Sequence, residues 1–106
     1  FTTETNKKIW EEYYGDSFMG KDPFGRKITK DNFVSDHIWP HGLQGSICLY
    51  NGIPLSERSN IHKGKKISGI INGNKFEIKK LKMTFPACGD GHVGELFVNG
   101  KKISKY

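Results

Sequence analysis

The chain is short of cysteine, and the two it has, Cys48 and Cys88, lie forty residues apart. No C-x-x-C pair is present, so a cysteine-held zinc site is not expected. The two could form one disulfide, but with nothing else to mark a disulfide scaffold the expectation is reduced, partly buried thiols. Long apolar runs are also missing. None approaches the ~18 residues that a membrane helix needs, which excludes a spanning helix. The h-region of a secretory signal is absent from the 106 residues, and a chain that begins at Phe1 is expected to be trimmed or processed. There is no low-complexity segment and no linker, so one domain over residues 1–106 is expected.

Acidic residues are few relative to basic ones: 11 Asp and Glu against 17 Lys and Arg, a net charge of +6. The excess is local. Residues 57–82 carry eight basic residues (Arg58, Lys63, Lys65, Lys66, Lys75, Lys79, Lys80, Lys82) and only two acidic ones, while the rest of the chain is balanced. A solvated strand face explains any one of these lysines; together they point to a polyanion, with nucleic acid first. Thirteen glycines argue against a helical bundle, and thirteen aromatics are enough for a small, marginally stable core.

Local patterning predicts a helix over residues 3–14, with Ile9 and Tyr13, then Trp10 and Tyr14, spaced i, i+4 and Gly15 just past the end. Turn formers crowd residues 16–26. Strands are expected at 26–29, 32–38 and 46–50, and a helix over 55–63 entered at Pro54. Two Asn-Gly dipeptides, 72–73 and 99–100, each flanked by apolar β-formers, predict two β-hairpins.

Three pieces carry chemistry: Asp36-His37-Ile38-Trp39-Pro40, then Asn51-Gly52-Ile53-Pro54-Leu55, then Asn60-Ile61-His62-Lys63-Gly64. Hydrolysis of a phosphodiester needs a cation to hold the phosphate and neutralise the leaving oxygen. Hard oxygen ligands suit Mg²⁺, and imidazole is the natural base near neutral pH. In order and spacing, with Asn51 fourteen residues after His37 and Asn60 nine after Asn51, the pieces resemble the HNH (ββα-metal) nuclease family. That family's pattern is Asp-His-Ile-x-Pro, a loop, an Asn in the second strand, and Asn-x-x-Lys-Gly on a helix. The resemblance covers residues 24–66, and Asp22-Pro23-Phe24-Gly25-Arg26 also looks like the segment that often precedes the motif.

The resemblance implies an α+β fold: a ββα-metal finger core with an N-terminal helix and C-terminal β-hairpins. It implies a metal-dependent DNA endonuclease with His37 as general base, Asn51 bracing the loop that orients it, and one Mg²⁺ or Mn²⁺ held by Asp36 and Asn60. His62 is the alternative ligand; Asn60 and His62, about 200° apart on a helix, cannot both face the metal. Arg58, Lys63, Lys65, Lys66, Lys79, Lys80 and Lys82 are the candidate nucleic-acid contacts. The cysteine pairs that hold structural zinc in many members are missing, so no structural zinc is expected. DNA or RNA is the expected partner, without a membrane, inside a larger parent protein or beside a protein partner. The expected location is cytoplasmic, phage-encoded or within a secreted toxin. The rivals are a non-catalytic nucleic-acid-binding module on a degenerate frame and a small structural protein with a surface lysine cluster. Elsewhere, His41 reads as a surface histidine in a Pro-His-Gly turn, and Cys88-Gly89-Asp90-Gly91-His92 as a turn rather than a metal site. Trp39 reads as packing under the active-site loop, and Trp10, Tyr13 and Tyr14 as core.

Overall fold

Backbone capping sets the first element. Thr2 accepts a hydrogen bond from the Thr5 N–H, and Gly15, at φ 57°, ends helix α1 (Thr3–Tyr14) by donating to the Glu11 carbonyl. Ile9 and Trp10 are fully buried, as their spacing predicts. The computed structural model describes residues 1–82 and 85–106.

Strands β1 (Met19–Lys21) and β2 (Lys27–Thr29) form a small antiparallel hairpin with Gly20 opposite Ile28. Tyr14 lies over Gly20, where an added Cβ would come within 2.6 Å of its ring. Strands β3 (Val34–His37) and β4 (Gly52–Leu55) pair antiparallel, Val34 opposite Leu55 and His37 opposite Gly52. Helix α2 (Glu57–Lys63) follows β4 directly. Ser56 caps its start by accepting from Ser59 N–H, and Gly64, at φ 50°, caps its end. The remaining strands, β5 (Ser68–Ile71), β6 (Asn74–Lys80), β7 (Gly94–Val98) and β8 (Lys101–Lys102), form a four-stranded antiparallel sheet in that order. Both Asn-Gly turns have positive φ at both residues, 50° and 76° at 72–73 and 52° and 83° at 99–100, as a twisted two-residue hairpin demands. The fold is thus α+β, two helices with small antiparallel sheets.

One apolar cluster joins the parts. Ile38, Trp39, Ile53 and Leu55 from the β3–β4 region pack with Phe24 and with Ile71, Phe76, Ile78, Leu96 and Val98 of the four-stranded sheet. Helix α1 seats on β4 so closely that a Cβ on Gly52 would lie 2.4 Å from Ile9.

Three expectations change. Residues 46–50 form no strand; a 3₁₀ turn runs over Leu49–Asn51 instead. Local bonds hold the backbone there: Cys48 N–H donates to Ser46 Oγ and Asn51 N–H to the Cys48 carbonyl, so these groups are not free for a ladder. Helix α2 begins at Glu57, because Pro54 and Leu55 belong to β4, where Pro54 lies opposite Ser35. The third change is at the cysteines. Cys48 and Cys88 are not reduced thiols but a disulfide, their Cα atoms 5.1 Å apart. The fold brings the 3₁₀ turn at 49–51 beside a second one, Pro86–Cys88, a proximity that sequence spacing does not reveal.

Asp22 links the β1–β2 turn to α2. Its Oδ1 accepts from the Phe24 and Arg26 N–H groups, and its Oδ2 accepts from Ser56 N–H at 3.1 Å. Burial alone would raise its pKa, but the hydrogen bonds from Ser59, Arg26 and Ser56 outweigh it and hold the carboxyl below the usual range. A carboxylate with a depressed folded pKa stabilises fully above its unfolded value of about 4, and that contribution is lost as pH falls through the folded value. Asp22→Asn is therefore expected to cost about 1–3 kcal/mol at pH 7. Urea denaturation of both proteins should show the gap narrowing toward pH 3; a gap independent of pH contradicts the charged role.

Candidate active site

Strand β3 delivers Asp36 and His37 at its last two positions, opposite Ile53 and Gly52. Both line a cleft of about 400 Å³ with Pro40, His41, Gly42, Gly64 and Lys65. The chain leaves β3 into the loop that carries Trp39 and Pro40 and comes back at Asn51. The end of β3 thus brings the neighbouring Asp36 and His37 to one cleft.

Asn51 holds this loop. Fully buried, its Oδ1 accepts from Trp39 N–H and Gly94 N–H, both at 2.9 Å. Its Nδ2 donates to the Trp39 carbonyl at 3.0 Å and the Ser46 carbonyl at 2.9 Å. An amide has two donors and two acceptor lone pairs, and all four are used. The Asn51 carbonyl also accepts from Ile38 N–H at 2.8 Å, next to His37. Trp39 is 8% exposed beneath the loop, with its indole N–H donated to the Leu43 carbonyl at 3.0 Å.

The His37 ring stacks on Phe1, centroids 4.5 Å apart, and lies 5.2 Å from the His41 ring. Its Nε2 is buried and has no hydrogen-bond partner among the described residues. Burial first, then the nearby His41, the chain's amino group and Lys63, push its pKa down to about 4. The imidazole is therefore neutral at physiological pH. A phosphate in the cleft would favour the imidazolium and bring the basicity back toward neutrality.

No family model, curated protein or solved structure matches the chain. The site is accordingly read from its own residues.

Helix α2 supplies the other wall. Lys63, in its last turn, is 1% exposed; its Nζ lies 2.7 Å from Asp36 Oδ2 and donates to the His37 carbonyl at 3.1 Å. Buried as it is, Lys63 is not a surface phosphate contact. Burial still pushes the Asp36 carboxyl above its usual range, with Lys63 opposing. Asn60 precedes Lys63 by three residues and so shares its face of α2. His62 is exposed and Asn60 half-buried, so the two do not share a face of α2; neither lines the cleft.

The other basic residues divide. Arg58, Lys65, Lys66, Lys79, Lys80 and Lys82 are exposed. Lys65 lines the cleft, and the Lys80 ammonium sits 5.1 Å from the Trp39 ring centroid. Lys79, next to it in β6, points to the opposite face, over Phe97. The positive run of the sequence is thus not one surface.

Asp36 lines the cleft and Asn60 is not among the residues that line it; as residue types, both offer hard oxygen donors. Among the described residues no group of three or more His, Cys, Asp and Glu is placed to hold a metal. Such a donor set fits a cation that takes most of its ligands from water and phosphate, as Mg²⁺ and Mn²⁺ do, and not a zinc ion caged by protein. Near residue 90, Cys88 is tied up in the disulfide, and His92 is held through its backbone, its N–H to the Gln44 carbonyl.

His41, Lys63 and Asp22 are the residues that sequence reading undervalued. Only the Asn-x-x-Lys spacing, which puts Asn60 and Lys63 on one helix face, gave a usable signal for Lys63.

Proposed function

We propose that the chain is a metal-dependent DNA endonuclease of the HNH kind. The observation that carries this reading is the buried, unpartnered Nε2 of a neutral His37 beside Asp36 in an open cleft. A structural histidine would have its ring nitrogens satisfied; a general base needs one free. Asp36 and Asn60 are the residues that would hold the cation. Bound there, Mg²⁺ or Mn²⁺ would neutralise charge on the phosphate and on the departing 3′ oxygen. His37 takes a proton from the attacking water as the water oxygen bonds to phosphorus and the P–O3′ bond breaks; the departing oxygen, protonated from solvent, becomes the 3′-hydroxyl beside a 5′-phosphate. Asn51 fixes the loop that follows His37; Nε2, buried beside the Phe1 ring stacked on the imidazole, must be uncovered for water to reach it. Lys65, in the cleft wall, brings positive charge to where the duplex backbone would lie.

The exposed lysines also favour a second reading, a binding module without catalysis, which would show salt-sensitive DNA binding and no metal requirement. The disulfide fits action in an oxidising compartment, as for a secreted toxin or exported nuclease, better than a reducing cytosol.

Plasmid DNA with Mg²⁺ or Mn²⁺ is the test. Nicking or cutting is expected, EDTA should stop it, and His37→Ala should lower the rate about 10²–10⁴-fold. Unchanged cleavage by His37→Ala, or binding without cleavage by the wild type, sinks the catalytic reading.

A further inference from the structure

Lys63 poses a problem of cost. Taking an ammonium out of water costs several kcal/mol, and a buried ion pair commonly does no better than an apolar pair of the same volume. A methionine at the end of α2 would fill the space but leave Asp36 buried without its counter-charge, so bulk alone does not account for a lysine at 1% exposure. The charge itself is what the position uses. It falls on Asp36 Oδ2, at 2.7 Å, and on the carbonyl of His37, at 3.1 Å, the two residues that the nuclease reading puts at the chemistry.

A divalent cation approaches a carboxylate oxygen to about 2.0–2.1 Å. An oxygen already in contact with an ammonium cannot take one without bringing two cations together. We propose that Lys63 is a tethered stand-in for the divalent cation: it neutralises Asp36 in the metal-free protein and releases Oδ2 when the cation binds. This rests on the nuclease reading of Asp36. Asp36 then always has positive charge beside it. The competition weakens the site for metal alone. Once released, the flexible Lys63 stem can turn its ammonium to the cleft, where a substrate phosphate offers a new partner. Metal and DNA thereby each favour the binding of the other.

Titration calorimetry with Mn²⁺ tests this on wild type, Lys63→Met, Lys63→Gln and Asp36→Ala. Removing the competing charge should tighten Mn²⁺ binding roughly tenfold or more in both Lys63 variants, a small part of the Coulomb repulsion at such range. Mn²⁺ should also raise their melting temperature by more than it raises that of wild type, and Asp36→Ala should not bind. Wild type alone gives a second readout that survives any failure of the variants to fold. Reductive methylation of Lys63, mapped by mass spectrometry, should be slow without metal and several-fold faster with saturating Mn²⁺. Equal or weaker binding by folded Lys63 variants, or labelling that ignores bound Mn²⁺, overturns the stand-in role and leaves the nuclease reading intact. A wild type that neither binds Mn²⁺ nor cleaves DNA overturns both.

Discussion

Asn51→Ala is expected to leave little folded protein at 37 °C. The amide makes four hydrogen bonds in a fully buried place. Truncation orphans two N–H groups and two carbonyls at once, at about 1–3 kcal/mol for each that water does not reach. Water entry and relaxation would spare some of these, so a loss of about 4–6 kcal/mol is reasonable. That is comparable to the whole stability of a small domain. Asn51→Asp is the informative partner. It keeps both acceptor contacts to Trp39 and Gly94 N–H but sets a carboxylate against the Trp39 and Ser46 carbonyls, so it should be destabilised too. Urea denaturation followed by circular dichroism measures both. If Asn51→Ala stays within about 1 kcal/mol of wild type, the amide is not the keystone of the loop.

Reduction of the disulfide is expected to have an effect of the same order. Closing a loop between residues forty apart removes chain entropy from the unfolded state worth about 4 kcal/mol at 25 °C. For a domain of this size that corresponds to a fall in melting temperature of roughly 15–30 °C. The bond also sits in the network that holds Asn51. Ser46 Oγ donates to the Cys88 carbonyl at 3.1 Å, Cys48 N–H donates to Ser46 Oγ, and the Ser46 carbonyl accepts from Asn51. Thiol titration of the denatured, unreduced protein should find no free thiol, and two after reduction. Dithiothreitol, or Cys48→Ser, should lower the urea midpoint; coincident oxidised and reduced curves would show that the bond contributes nothing.

What the sequence made legible was what short spacing can encode. The α1 boundaries and both Asn-Gly hairpins follow from caps, turn chemistry and periodicity within a dozen residues, whereas β4 (Gly52–Leu55) does not, since its Pro54 reads as the entry to a helix. Asp36 and His37 meet in one cleft, and Asn51 bonds the loop that follows them. Long-range partners were not legible. The Cys48–Cys88 bond and the Lys63–Asp36 pair depend on how distant segments pack, and residues 46–50 look like a strand until their polar neighbours claim the backbone. The split of the lysines was in principle readable, since the adjacent Lys79 and Lys80 must diverge on any strand.

The four-stranded sheet ends differently on its two sides. Strand β8 is only Lys101–Lys102, both exposed, so a second copy of the chain would meet like charge and almost no free backbone there. Strand β5 is twice as long and carries Ile70 at 73% exposure. On this side self-association is opposed mainly by the repulsion of Lys65 and Lys66 just ahead of the strand, a restraint that added salt removes. The lysines that would draw the protein to DNA thus also keep its copies apart, and DNA that covers them would take that protection away.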